Sequence, residues 1–331
     1  MIFDSESVFE ESVITVLKQH GWKDGVLRYP TERDLLDNWK DILYRNNNDI
    51  DRLGKYPLTD GEMAQVIEQI ETLRTPLALN SFVNGRTVSI TRDNKEDVAH
   101  FGKEVSLYIY DRKEIAGGKS TYQIVQQPVY PAKNTMLSSR RGDLVLLING
   151  MPLIHIELKK SGIPVSQATN QIEKYAHEGV FTGLFRLVQI FVAMTPDDAV
   201  YFANPGADKF NPSYYFHWAD YNNEPICGGQ NPGKDEWKLF IGGTSGTAGL
   251  LSIPMAHQLI GFYTIADSAD GCLKVLRSYQ YIAANAISDV VRKCDWEQRP
   301  VTPGRPGGYV WHTTGSGKTM TSFKSAQLIA D

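Results

Sequence analysis

Residues 142–159 read GDLVLLINGMPLIHIELK, and this stretch decides the fold. Leu144–Ile148 and Leu153–Leu158 are apolar runs, and Asn149-Gly150 stands between them. Asn-Gly between two apolar runs predicts a β-hairpin, because both residues tolerate the positive φ of its tight turn. In an antiparallel pair, opposed residues share a face and their numbers sum to a constant. A three-residue loop, 149–151, gives a sum of 300 and sets Asp143 across from Glu157. A two-residue loop would instead oppose Asp143 to Ile156. Side chains alternate along a strand, so Glu157 and Lys159 share one face while Ile156 and Leu158 take the other. One loop choice therefore brings two carboxylates and a lysine together at one end of an apolar hairpin.

That grouping suits a definite chemistry. Two carboxylates hold Mg²⁺, a hard cation that takes few protein ligands and keeps several waters. The ion activates a water and stabilises charge developing on a phosphate, and a lysine orients the water or helps deprotonate it. The reaction is hydrolysis of a phosphodiester. An Asp at a strand start and a Glu-x-Lys also occur on solvated faces, but charges interrupting apolar strands mark a functional spot. Gln171 and Tyr175 follow, and i,i+4 spacing places both on one face of a helix.

The rest of the chain is consistent with a cytoplasmic α/β protein. Its 331 residues suggest two domains, and 42% hydrophobic content is ordinary for a globular chain. No run approaches the roughly 18 apolar residues of a membrane span. The acidic start, MIFDSESVFEESVITVL, lacks the basic and apolar regions of a signal peptide. Cys227, Cys272 and Cys294 form no CxxC pair and read as reduced thiols, not a zinc site. A net charge of −4 argues against a chain that grips nucleic acid unaided. A magnesium site concentrates carboxylates, however, and another chain can do the gripping.

Periodicity predicts helices over 6–20, 31–45, 59–74 and 166–178, and a helix over 271–293. Strands are expected over Arg86–Thr91, Val105–Tyr110, Tyr122–Val129 and Leu184–Met194. The stretch 204–250 is rich in Gly, Asn and Pro, which suggests a domain boundary near 245–260. After PVTPGRPGG (residues 300–308) come a short strand, Tyr309–Trp311, and a glycine loop leading into a helical pattern, Met320–Ile329.

That loop, His312-Thr-Thr-Gly315-Ser316-Gly317-Lys318-Thr319, has the strand–loop–helix setting of a phosphate-binding loop. Backbone amides and the helix N-terminus would cradle phosphates, Lys318 would reach the β/γ-phosphates and Thr319 would ligate Mg²⁺. His312 stands where the usual pattern has Gly.

The sequence resembles two families at these residues. Asp143, Glu157-Leu158-Lys159 and Gln171-Ile-Glu-Lys-Tyr175 resemble the PD-(D/E)xK nucleases, specifically their RecB-like branch. The resemblance implies a mixed sheet flanked by helices, with Asp143, Glu157 and the main-chain carbonyl of Leu158 binding the metal. It also implies an acidic residue from the first helix, Glu10 or its neighbour Glu11. The proline that often precedes the Asp is absent; Arg140, Arg141 and Gly142 stand there, and the two arginines could meet a phosphate backbone. TTGSGKT has the form used by superfamily 2 motors. Leu276-Arg277-Ser-Tyr279-Gln280 resembles their Q-motif, which implies that Gln280 reads adenine.

A RecB-like nuclease ahead of such a motor resembles the restriction subunit of type I restriction–modification enzymes. The expected division is a nuclease domain over 1–250 and the first part of a RecA-like ATPase over 251–331. The resemblance implies double-stranded DNA as substrate, Mg²⁺, and ATP used by a longer polypeptide to drive translocation. It implies modification and specificity subunits as partners, with S-adenosylmethionine entering only through them. The stretch after the loop is too short for a complete motor, so ATP hydrolysis by these residues alone is not expected. The alternative is part of a stand-alone helicase–nuclease of DNA repair.

Overall fold

The computed structural model describes residues 2–23, 25–115, 117–130, 140–207, 209–229, 235–269, 271–293 and 308–330. Cys294 and nearly all of PVTPGRPGG lie outside them, as do residues 208 and 230–234 of the glycine-rich stretch.

Helix α1 (Glu6–Gln19) starts where the Ser5 hydroxyl accepts from the Val8 amide. It turns Phe9, Val13, Ile14 and Leu17 inward, with Glu10 buried among them. Strand β1 (Leu27–Arg28) leads to α2 (Glu32–Asn46) and α3 (Asp60–Thr72). Thr31 with Asp34, and Thr59 with Glu62, form reciprocal caps that satisfy the first free amides of these two helices. Helix α4 (Pro76–Asn84) and strands β2 (Thr87–Thr91), β3 (Glu104–Tyr108) and β4 (Tyr122–Gln126) follow. Next come β5 (Leu144–Ile148), β6 (Met151–Leu158), α5 (Val165–Glu178), β7 (Ile190–Met194) and β8 (Ala199–Ala203). The remaining elements are α6 (Glu236–Gly242), α7 (Ile253–Gly261), β9 (Thr264–Asp267), β10 (Cys272–Val275), α8 (Ser278–Lys293) and α9 (Lys318–Ala330).

Among the described residues the central sheet has six strands in the order β1-β4-β5-β6-β7-β8. The pairs β1/β4 and β6/β7 are parallel and the others antiparallel, so the sheet is mixed. Helices α1 and α5 pack on it, and β4 to β8 are buried along their whole lengths. This is the α/β arrangement of a mixed sheet flanked by helices. No described helix is long and apolar enough to cross a membrane.

The hairpin differs from expectation in an instructive way. Its loop is two residues, Asn149 at φ 53° and Gly150 at φ 83°, with Ile148 paired to Met151 and Leu147 to Pro152. Left alone, that loop would set Asp143 against Ile156. A β-bulge restores the parity: Leu146 pairs with Ile154, so Leu153 is the extra residue. From there Leu144 faces Ile156, a sum of 300, so Asp143, just ahead of β5, stands level with the Glu157–Leu158 end of β6, where its Oδ2 meets the Leu158 amide.

Other boundaries shift for local reasons. Gln127 adopts φ 48° and ends β4 at Gln126. Within Leu184–Met194 only Ile190–Met194 is strand, because Gly183–Leu187 closes into a 3₁₀ turn. The expected helix over 271–293 starts only at Ser278, since Cys272–Val275 pairs with β9 in a hairpin. Tyr309–Trp311 forms no strand, as no described strand lies alongside it. Neither Cys227 nor Cys272 joins a disulfide.

Candidate metal centre

The odd-numbered face of β6 carries His155 and Glu157, Lys159 follows directly after the strand, and the chain entering β5 carries Asp143 beside them. Asp143 Oδ2 accepts a hydrogen bond from the Leu158 amide at 2.7 Å. Lys159 Nζ lies 3.6 Å from Glu157 Oε1 and 3.4 Å from Glu6 Oε1, and donates to the Leu158 carbonyl at 2.8 Å. The structure thus brings Asp143, Glu157, Leu158 and Lys159 to one place.

Electrostatically the centre is costly. Glu157 is fully buried, with the His155 ring 3.3 Å from one oxygen and the Lys159 ammonium 3.6 Å from the other, neither in good hydrogen-bond geometry. Burial pushes its carboxyl well above the usual carboxylate range, against the pull of the Lys159 ammonium. Burial and the Glu157 charge push Asp143 up too, against the Leu158 amide and Lys159. Buried carboxylates without donors are disfavoured unless a cation answers them. This donor set, two carboxylates and a carbonyl at a strand end, fits a hard divalent ion.

Glu10 approaches from α1. Its carboxylate accepts from Gln126 Nε2 and, at 3.3 Å, from Gln127 Nε2. Burial, opposed by these amides, raises it to about 7, and Asp143 pushes in the same direction. Glu11 instead turns outward to Arg28, at 2.6 Å, which holds its carboxyl below the ordinary value. Among the described residues no three His, Cys, Asp or Glu side chains converge closely enough to hold an ion by themselves. Glu10 therefore does not complete a three-ligand set with Asp143 and Glu157, although the Asp143 charge is felt at its carboxyl.

Helix α5 braces the entry to the centre. Gln171 Nε2 donates to the Tyr175 hydroxyl at 2.7 Å, and that hydroxyl donates to the Arg141 carbonyl at 2.9 Å, two residues before Asp143. Arg140 is tied to Glu178 by two bonds of 2.8 and 2.9 Å, while Arg141 sits 5.8 Å from the Tyr29 ring. Sequence reasoning missed His155 and Tyr130, although alternation places His155 on the face of Glu157 and Lys159.

The second set lies at the other end of the chain. Gly315 and Gly317 take φ 79° and 77°, and α9 begins at Lys318. Gln280 Nε2 donates to the carbonyls of Ser316 and Gly317, each at 3.2 Å, and Gln280 Oε1 accepts from the Arg277 amide at 3.0 Å. A Cβ at Gly317 would collide with that amide group. Lys318 Nζ donates to the Thr313 carbonyl at 3.1 Å. A cavity of about 190 Å³ opens beside the loop, walled by Phe202, Phe216, Arg277, Gln280, Gly315 and Met320 among others.

The mixed sheet flanked by helices is an α/β arrangement of the kind nucleases use, and sequence comparison narrows it. The profile of the family described as Type I restriction enzyme R protein N terminus matches residues 4–210, and that of SWI2/SNF2 ATPase matches residues 279–331. The chain is 30% identical over 339 residues to the Type I restriction enzyme SsaAORF53P endonuclease subunit of Staphylococcus saprophyticus, covering 100% of this chain and 31% of the relative. It is 31% identical over 332 residues to the SauMSSORF170P endonuclease subunit of Staphylococcus aureus, with the same coverage. The EcoprrI endonuclease subunit of Escherichia coli is 29% identical over 217 residues, 64% of this chain and 62% of that protein. The chain belongs to the family of type I restriction enzyme R protein N-termini. It spans about a third of the length of the staphylococcal relatives.

Proposed function

We propose that this chain carries the DNA-cutting centre of a type I restriction endonuclease subunit, with a PD-(D/E)xK core. Asp143, Glu157 and the Leu158 carbonyl hold Mg²⁺, with Glu10 outside that set. The bound ion supplies a water of lowered pKa and offsets the charge developing on the phosphate. Lys159 follows directly after β6, where its ammonium places positive charge beside the reacting phosphodiester and holds the attacking water. Gln171 and Tyr175 fix the backbone that delivers Asp143. The single observation carrying this reading is the fully buried Glu157 carboxyl, 3.6 Å from the Lys159 ammonium and beside a second carboxyl, Asp143, that burial also raises.

Residues 251–331 read as the start of a RecA-like ATPase following a nuclease domain over 1–250. Gly315, Ser316, Gly317, Lys318 and Thr319 cradle the nucleotide phosphates, and Gln280 couples that loop to the adenine side. In the complete polypeptide ATP drives translocation of double-stranded DNA, in a complex with modification and specificity subunits; S-adenosylmethionine belongs to those partners. The names of the relatives favour this over a repair helicase–nuclease. Cleavage of an unmethylated plasmid by the complete enzyme tests it: Asp143→Ala should abolish cutting, and retained cutting would refute the assignment.

A further inference from the structure

His155 lies fully buried on β6, two residues before Glu157, walled by the rings of Tyr130, Tyr175, Phe181 and Phe191. One nitrogen, Nδ1, meets the Tyr130 hydroxyl at 2.9 Å. The other, Nε2, faces Glu157 Oε2 at 3.3 Å and has no hydrogen-bond partner as it stands. A carboxylate in front of Nε2 selects the tautomer that carries its proton there. The Tyr130 hydroxyl then donates to Nδ1, and the chain runs Tyr130 O–H to His155 Nδ1, His155 Nε2–H to Glu157.

The same pair presses on the other carboxylate's backbone. A Cβ built at Gly142, next to Asp143, would lie 2.6 Å from Tyr130 Oη and 2.8 Å from His155 Cε1. Glycine is needed there because this pair occupies the space. Tyr130 and His155 together therefore touch both halves of the centre, Gly142 beside Asp143 and the Glu157 carboxyl.

We propose that Tyr130 and His155 are positioning residues. They form a relay that holds Glu157 Oε2, leaving Oε1 toward Lys159 and the ion, and that sets the approach of the Asp143 segment. This rests on the metal-site reading above. Groups that hydrogen-bond a metal's ligands set its affinity, and losing one costs about 10–100-fold in affinity or activity.

The test titrates Mn²⁺ into the complete polypeptide without nucleotide by calorimetry, beside plasmid cleavage at several metal concentrations. His155→Phe keeps a ring in the aromatic cage but removes the donor; Tyr130→Phe removes only the hydroxyl; His155→Gln keeps a donor. The relay predicts Mn²⁺ affinity about 10-fold or more weaker in His155→Phe, a smaller loss in Tyr130→Phe and partial recovery in His155→Gln. Cutting by the weakened variants should return at raised Mn²⁺, which a purely structural role would not produce. Should His155→Phe not fold, Tyr130→Phe and His155→Gln decide the matter by the same readout. Glu157→Gln is the reference. Wild-type affinity in the relay variants, with cutting lost in Glu157→Gln, overturns the relay alone. Retained cutting in Glu157→Gln overturns the site reading and the relay with it.

Discussion

The Leu158 amide donates to Asp143 Oδ2 at 2.7 Å, so the first carboxylate of the centre is fastened to the strand that carries the second. The bond depends on register. It forms because the bulge at Leu153 makes up for a two-residue turn; without the bulge, Asp143 would oppose Ile156 and Glu157 would face away.

The turn that starts this register is intolerant of side chains. Gly150 has φ 83°, and a Cβ on it would sit 2.8 Å from Trp39 Cδ1 and 2.9 Å from Trp39 Cα. Trp39 is fully buried in α2 and has no room to withdraw. Gly150→Ala should cost on the order of 1–3 kcal/mol through backbone strain and overpacking. Chemical denaturation measures this directly; an unchanged midpoint would contradict it.

Tyr175 acts through one hydroxyl, which bonds the Arg141 carbonyl and receives Gln171. Tyr175→Phe preserves the ring and its packing against Tyr130. The expected stability loss is about 1 kcal/mol, the size of one hydrogen bond. Cutting should fall by a larger factor than the melting shift implies, because the Asp143 segment loses its brace. Equal cutting by wild type and Tyr175→Phe would show the hydroxyl to be dispensable.

Burial raises Asp143 to about 8, with the Glu157 charge pushing the same way, and raises Glu157 too, so the pair holds on to proton near neutral pH in the metal-free protein. The folded state then binds more protons than the unfolded chain, whose carboxyls titrate near 4. Metal-free stability should therefore decline as pH rises from about 4 toward 8. Divalent ions reverse the balance by displacing those protons. Calorimetry in buffers of different ionisation enthalpy should detect proton release on Mg²⁺ binding at pH 7, and affinity should climb with pH up to about 8. Binding without proton release would contradict the raised values.

A second buried histidine gives the opposite slope. His257 Nδ1 meets the Tyr122 hydroxyl at 2.8 Å, Nε2 meets the Asp111 carbonyl at 3.0 Å, and the Tyr110 ring stacks on it. Burial lowers its pKa to about 4, although Asp111 and Glu114 pull upward. An unfolded histidine titrates near 6.5, so between these values the unfolded chain holds the extra proton. Stability is full above about 6.5 and is lost as pH falls toward 4, by up to about 3 kcal/mol. His155, also lowered to about 4, shares the window. Melting curves between pH 7 and 5 should show a shallower decline for His257→Gln than for wild type; parallel declines would rule the histidine out.

The hairpin and the surrounding helices were legible because periodicity is a local property. Thr31 and Thr59 cap where the spacing said helices begin. The bulge at Leu153 was not legible, since an apolar run looks the same with or without an extra residue. The expected sum of 300 holds at Leu144 and Ile156, but through a two-residue turn plus a bulge and not through a three-residue loop. Helix α4, strand β8 and the β9–β10 hairpin escaped because their residues are short segments specified by tertiary packing. Gln280 was singled out for a base, yet its amide is engaged with the loop carbonyls at Ser316 and Gly317, a contact no spacing rule encodes. His155 carried a signal, its alternation with Glu157, but its link to Tyr130 spans 25 residues and appears only in three dimensions.

The most direct test of the central claim measures two activities in one reaction. The complete enzyme, given ATP, Mg²⁺ and unmethylated plasmid, is assayed for strand displacement during translocation and for double-strand cutting. Glu157→Gln and Asp143→Ala should each translocate at the wild-type rate while cutting falls below detection. Wild-type cutting by either variant would place the nuclease centre elsewhere.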